Sequence, residues 1–258
     1  MGADTISHFI ERLTWDQVAR RIAADSPAIL PIGAAAKEHG FHLPLNTDLV
    51  QAEWFAARLA ERIDALIWPT VTYGYYPAFV EYAGSASLSC STFEAMIHEI
   101  AAEILESGCE TLFVLNTGIS TLAPTERALA RLDTGKVHHL RIYDGPRFGR
   151  ATEALSQQSH GSHADEIETS LMLTIAPDIV DMARAEASPA ITQEVPGRLT
   201  PSDASSPNYS RSGSYGDPTL ATRAKGEVLL HALLDDLHEQ VAAALGERKA
   251  PKPRSVSR

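Results

Sequence analysis

A chain of 258 residues with 44% hydrophobic content is long enough to bury a sizeable core as a single α/β domain. Its 22 basic and 33 acidic residues give a formal charge of −11, which disfavours nucleic acid and anionic membranes as partners and suits a small neutral or cationic ligand. No stretch approaches the roughly 18 apolar residues of a membrane span, and residues 1–12 carry Asp4 and Glu11 where a signal peptide would be apolar, so a cytoplasmic protein is expected.

Thr14-Trp15-Asp16 followed by Val18, Ile22 and Ala23 predicts a first helix capped by Thr14 or Asp16, leading into a buried strand over 28–32. A longer helix follows over 48–62. Residues 65–72 read as a second strand interrupted by Pro69, then an aromatic loop over 73–79. A helix is predicted over 92–106 from the stripe Phe93, Met96, Ile97, Ile100 and Ile104, and a strand over 111–115 ending at Asn116-Thr117-Gly118. A helix over 124–132, a strand over 138–143 and a helix over 165–175 continue the alternation, which predicts a mostly parallel sheet covered on both faces. Residues 187–217, rich in Ser, Pro, Gly and Asn, are either a flap over a site or an inert excursion. A helix over 220–245 closes the single domain of residues 1–245, and the basic, Pro-interrupted stretch 246–258 reads as a disordered tail. Cys90 and Cys109 make neither a disulfide framework nor a CxxC zinc site and read as reduced thiols.

Two clusters carry chemistry. The loop leaving the first strand holds Glu38, His39 and Asp48, hard or borderline ligands of the kind that bind Zn²⁺ or Mn²⁺, with a second imidazole at His42. A carboxylate such as Asp48 can bridge two ions roughly 3.5–4 Å apart, an arrangement that activates water and polarises a carbonyl. The same residues are also compatible with a turn of satisfied histidines. The second cluster is His160-Gly161-Ser162-His163-Ala164-Asp165-Glu166-Ile167-Glu168. His163 stands before a helix whose dipole disfavours its protonated form, with Asp165 and Glu166 opposing that effect, so its imidazole is expected to pass protons near neutral pH. Glu168 is read as a ligand or base. Asp165 and Glu166 are read as complements to the dipole of a first helical turn.

These clusters resemble the creatininase (creatinine amidohydrolase) family, whose signature is a strand followed by E-x-H-G-x-H-L-P-x-x-T-D. Here it stands as Lys37-Glu38-His39-Gly40-Phe41-His42-Leu43-Pro44-Leu45-Asn46-Thr47-Asp48. Matched segments continue in order through Tyr73-Gly74-Tyr75, Gly84-Ser85, Glu168-Thr169-Ser170, Pro177-Asp178 and Gly216-Asp217-Pro218. The resemblance implies a three-layer αβα sandwich with a mostly parallel central sheet, a homo-oligomer (commonly a hexamer), and a dinuclear metal centre that hydrolyses a small amide, often a cyclic one. It places the bridging aspartate at Asp48, a histidine ligand at His39 and the catalytic histidine at His163.

Two departures stand out. The family's glutamate ligand lies two residues before the histidine, where this chain has Lys37; one residue is added after Gly33, so that Glu38 reaches a ligand position only if a bulge re-aims it. After the third strand the family reads N-G-H and uses that histidine as a ligand, whereas this chain reads Asn116-Thr117-Gly118-Ile119-Ser120. The expected site is therefore Glu38, His39, Asp48 and Glu168 around Zn or Mn, with iron as a further candidate and one or two ions. His163 and Glu168 are the expected catalytic groups. Glu81 is a candidate replacement ligand, and Tyr75, Tyr76, Phe79 and Tyr82 are expected to wall the pocket. The expected activity is hydrolysis of a small amide or related carbonyl compound by metal-activated water. A C–C bond hydrolase, a deformylase and a non-catalytic ligand-binding relative remain open on the same scaffold.

Overall fold

The computed structural model describes residues 7–189 and 198–249. Its centre is a sheet of β1 (Ala28–Ile32), β2 (Leu66–Ile67), β3 (Leu112–Asn116) and β4 (Val137–Arg141), all parallel, in the order β2-β1-β3-β4. Around it run α1 (Trp15–Ala23), α2 (Thr47–Ile63), α3 (Cys90–Glu106), α4 (Leu122–Leu129), α5 (Pro146–Leu155), α6 (Glu166–Ile175) and α7 (Arg223–Lys249).

The strands β1, β2 and β3 are buried and mostly apolar on both sides because both faces of the sheet are covered, whereas the edge strand β4 carries His138, His139 and Arg141. Ile29, Ile67, Phe113, Leu115 and Leu140 point into one core with α2, α5, α6 and α7. Ala28, Leu30, Ile32, Leu112 and Val114 alternate into a second core with α3 and α4. This is the expected three-layer αβα sandwich. No helix among the described residues is long and apolar enough to cross a membrane.

The sequence and the structure differ in several elements. The strand expected over 65–72 pairs regularly only at Leu66 and Ile67; Pro69 has no N–H to offer a ladder, and pairing resumes as a single bridge between Ile32 and Val71. The helix α5 has no counterpart in the sequence reading. Pro146 occupies its first turn and the Asp236 carboxylate accepts the backbone N–H groups of Arg147 and Phe148, the latter at 2.9 Å, so its N-terminus is capped by a residue 88 positions away. The α3 helix begins two residues early because the Ser89 hydroxyl accepts the Thr92 N–H at 3.2 Å. The α4 helix spans 122–129 rather than 124–132, and β4 ends at Arg141, where a 3-10 turn over Ile142–Asp144 takes over. The α7 helix runs to Lys249, and the rest of the expected basic tail lies outside the described residues.

This topology fixes where a ligand can bind. The chain leaves β1 toward β2 on one side and returns to β3 on the other, so the carboxyl ends of β1 and β3 open a crevice at the switch point. Ile32 is paired with Asn116, which brings the loops that begin at Gly33 and Thr117 together.

Candidate metal centre

The loop after β1 is held by close packing at Gly33, where a Cβ would collide with the Asp48 carbonyl and sit 2.7 Å from the Ala52 Cβ. Only glycine lets the first turn of α2 lie against the strand end. Thr117 ties the same turn to the sheet by donating its hydroxyl to Ile32 O at 3.0 Å and Asp48 O at 3.3 Å. Asp48 is thereby set at the base of the crevice, its side chain only 3% exposed.

Both Asp48 oxygens are engaged. Lys37 Nζ donates to Oδ2 at 2.7 Å and His39 Nε2 lies 2.9 Å from Oδ1. The other ring nitrogen, His39 Nδ1, is 2.9 Å from the Lys37 carbonyl oxygen and must donate to it. A neutral His39 therefore aims its Nε2 lone pair at a carboxylate oxygen, an arrangement that is favourable only with a cation, proton or metal ion, between them. This is the tautomer and backbone support typical of a metal-binding imidazole.

The α6 helix supplies the opposite wall. Asp165 caps it, accepting the N–H groups of Ile167 and Glu168 at 3.0 Å each, and Glu166 accepts the N–H groups of Gln157 and Gln158 and pairs with Lys225. Both acids thus serve the scaffold, as their sequence positions suggest. Glu168 instead turns inward: Oε1 is 3.9 Å from His39 Nε2 and accepts from Gln51 Nε2 at 3.1 Å, and Oε2 accepts the Ala164 N–H at 2.8 Å. Ala164 holds that N–H in place with a left-handed φ of 44°, a conformation that costs a non-glycine residue about 1–2 kcal/mol. Donor atoms of His39, His163 and Glu168 lie within 4.8 Å of one another.

Glu38 faces a different way from the expectation that it would join this group. Its carboxylate accepts the Gly40 N–H and lies 3.1 Å from His163 Nε2. The added residue does re-aim it, but toward the imidazole expected to be catalytic. Gly213, at a φ of 93°, presses on the Glu38 carboxylate where any Cβ would collide with it. The neighbouring Tyr215 pairs antiparallel with His163. The described part of the loop over 187–217 therefore closes over the site, as one of its two sequence readings held.

Burial opposes charge on every group here, and the partners decide the outcome. Burial disfavours the His163 imidazolium, yet the Glu38 carboxylate outweighs it and raises the pKa above the ordinary value. The control thus comes from Glu38 across the site, in place of the helix dipole expected from sequence. Glu38 and Glu168 are pushed up by burial but held below their usual range, the first by His163 and the second by His39 and His163. Lys37 is kept charged against burial by Asp48 and Glu168. His42, buried with Nε2 2.8 Å from Thr169 Oγ1 and Nδ1 unpartnered, is lowered by burial to about 4 and joins the loop to α6.

A cavity of about 370 Å³ opens onto this floor, lined by Lys37, Asp48 and Glu168 below and by Ile119, Tyr143, Phe148 and Ile167 at its sides. The aromatic wall expected from Tyr75, Tyr76, Phe79 and Tyr82 is mostly elsewhere. Tyr76 and Tyr82 are buried and donate to Thr72 O and Ser210 O, and Tyr75 packs in the second core. Only Phe79 meets the site, its ring 4.2 Å from that of His163. Glu81 is exposed and outside the cavity lining, and Gly118 offers no side chain. Sequence reasoning missed Gln51 and Tyr143, whose hydroxyl donates to Gln51 Oε1 at 2.7 Å and so steadies Glu168. Gln51 had a signal: a polar residue three positions after Asp48 on the buried face of α2.

A family model described as Creatininase: Creatinine amidohydrolase matches residues 11–241. The chain belongs to the creatininase family. It is 28% identical to the creatinine amidohydrolase of Pseudomonas putida, over 91% of this chain and 96% of that protein. It is 27% identical to a mycofactocin precursor peptide peptidase of Mycolicibacterium smegmatis, over 86% of this chain and 87% of that protein. A solved structure titled Creatininase Mn superposes with a TM-score of 0.78 at 27% identity, covering 95% of this chain and all of that one. These likenesses make the creatininase-family chain a hydrolase.

The donors fit a borderline divalent cation. The His39 imidazole converges with the carboxylates of Asp48 and Glu168, a set of nitrogen and oxygen donors suited to Zn²⁺ or Mn²⁺, with His163 beside it. Charge agrees. Glu38, Asp48 and Glu168 contribute three negative charges against one positive charge on Lys37, an excess of two negative charges that falls to one when His163 is protonated.

Proposed function

We propose that this chain is a metal-dependent hydrolase of a small amide or related carbonyl compound, working at the floor of the 370 Å³ cavity. The observation that carries the reading is His39 Nε2 set 2.9 Å from Asp48 Oδ1 with Nδ1 committed to the Lys37 carbonyl, beside Glu168. His39, Asp48 and Glu168 would hold the ion. When bound, it supplies a Lewis acid for a carbonyl oxygen and lowers the pKa of water. The names of the relatives, an amidohydrolase and a peptide peptidase, support an amide as the bond cleaved.

The chain's own residues supply positioning and a proton. Glu38 holds the Nε2–H of His163 and stabilises its imidazolium, which leaves Nδ1, 3.8 Å from Glu168, as the nitrogen able to give a proton to a departing amine. Gln51, steadied by Tyr143, keeps Glu168 turned inward. Phe79 covers the His163 ring and limits access of water from that side.

The test uses the full chain with a panel of cyclic amides and short peptides. Chelation is expected to abolish hydrolysis, reloading with Zn²⁺ or Mn²⁺ to restore it, and His39→Ala to lose the bound metal. Undiminished hydrolysis by metal-free protein would reject the reading.

A further inference from the structure

Lys37 stands two residues before His39, at the place where the family signature carries a glutamate ligand. The substitution reverses a charge in a buried site, and the structure shows where that charge goes. The Lys37 side chain is 8% exposed and its ammonium lies 2.7 Å from Asp48 Oδ2, with the Phe79 ring centre 5.3 Å away. Asp48 is the residue that the same signature makes the bridge between two ions. For it to bridge, each of its oxygens must face a cation. Oδ1 faces His39 Nε2, and Oδ2 already faces a cation that belongs to the chain.

Three further facts close the second position. A metal ligated by a glutamate contributes a net charge of one positive, two from the ion less one from the carboxylate, and a lysine contributes the same. The loop after β3 offers no replacement nitrogen, since Gly118 lacks a side chain and the Thr117 hydroxyl is spent on Ile32 O and Asp48 O. One divalent ion brings the excess of one or two negative charges to within one charge of neutrality, while two ions would leave an excess of two or three positive charges among poorly solvated groups.

We propose that the Lys37 ammonium takes the place of one ion of a two-ion centre, so that this chain holds a single divalent ion between His39, Asp48 and Glu168. The ammonium lines the cavity beside that ion, as a cation fixed to the protein. Loss of metal can then empty only one of the two positive positions. This inference rests on the metal-dependent reading above.

The test is stoichiometry. Full-length protein stripped with chelator and dialysed against excess Mn²⁺ is freed of unbound ion and measured by elemental analysis, with electron paramagnetic resonance to separate an isolated ion from an exchange-coupled pair. Wild type is expected to hold one ion per chain with an uncoupled spectrum, and Lys37→Glu combined with Gly118→His, which restores the carboxylate and supplies the missing nitrogen, to take up a second. Two coupled ions in wild type would overturn the role of Lys37 and leave the metal-dependent function standing. No ion in folded wild type would overturn the function itself. A folded Lys37→Glu/Gly118→His protein that still binds one ion, or a folded Gly118→His protein that binds two with Lys37 in place, also counts against the proposal. Should these variants not fold, the wild-type stoichiometry decides alone.

Discussion

The Lys37–Asp48 pair carries a prediction that can be worked from its geometry. The two side chains are 8% and 3% exposed and meet at 2.7 Å, so removal of either partner strands the other away from water. Breaking such a pair costs about 3–5 kcal/mol. The lower end applies here, because Lys37 keeps Glu168 and Glu38 within its field and Asp48 keeps His39. Lys37→Met and Asp48→Asn should each destabilise the metal-free protein by about 3 kcal/mol, a drop of about 6–12 °C in Tm. The double variant leaves no unpaired charge at that contact and should cost about as much as one single variant, not the sum. The assay is urea unfolding in the presence of chelator at pH 7, with the four proteins analysed as a double-mutant cycle. A coupling energy within about 0.5 kcal/mol of zero would mean that Lys37 and Asp48 act independently, and the argument for a chain-borne cation on Asp48 would fail with it.

Two other outcomes follow from the same contacts. Glu38→Gln removes the carboxylate that chiefly raises His163 and leaves burial and Lys37 opposed only by Glu168, so the His163 titration, followed by NMR, should move down; Gly213→Ala should shift it in the same direction by displacing Glu38. A His163 titration unchanged in both variants would sever Glu38 from the imidazole. His42 and His139 are each lowered by burial to about 4, so below pH 6.5 the unfolded chain binds protons that the folded one refuses. Stability should therefore fall as pH drops from 6.5 toward 4, by up to about 1.4 kcal/mol per pH unit for each histidine. His163, raised by Glu38, is protonated in both states over that window and adds no slope there; its contribution is lost only as pH rises above 6.5 through its folded value. Urea midpoints between pH 7 and 5 should show the decline, and His139→Gln should remove part of it; a flat profile would contradict both burial arguments.

The layers and the crevice were legible because they depend on local pattern. The apolar runs that became β1 and β3 and the stripe that became α3 can be read from one short window each. The α5 helix was not legible, since its sequence Pro146-Arg147-Phe148-Gly149-Arg150 carries a helix-weakening glycine and little apolar periodicity, and its N-terminus is capped by Asp236 from α7. The aromatic wall misled for a related reason. Four aromatic residues within eight positions look like a pocket lining, but three of them bury into the fold, where Tyr76 and Tyr82 satisfy their hydroxyls on backbone carbonyls.

The site divides along the same line. His39, Asp48, His163 and Glu168 could be named from spacing, because each sits at an element boundary that the pattern marks. Their partnerships could not be. Glu38 and His163 are 125 residues apart, and the contact that sets the charge of His163 exists only because the loop after β1 and the start of α6 converge above the sheet. Lys37 is the sharper case. In the sequence it is a misplaced residue in a ligand motif, and the natural remedy is to let Glu38 slide into its role. Folded, the same residue accepts the His39 Nδ1–H on its carbonyl, which orients the ring, and donates its ammonium to Asp48, one acting through the backbone and the other through the side chain. A substitution that looks like the loss of a ligand is then a change in where the positive charge of the centre resides. That distinction has a physical consequence that composition cannot carry: an ion can be removed by a chelator, and a lysine cannot.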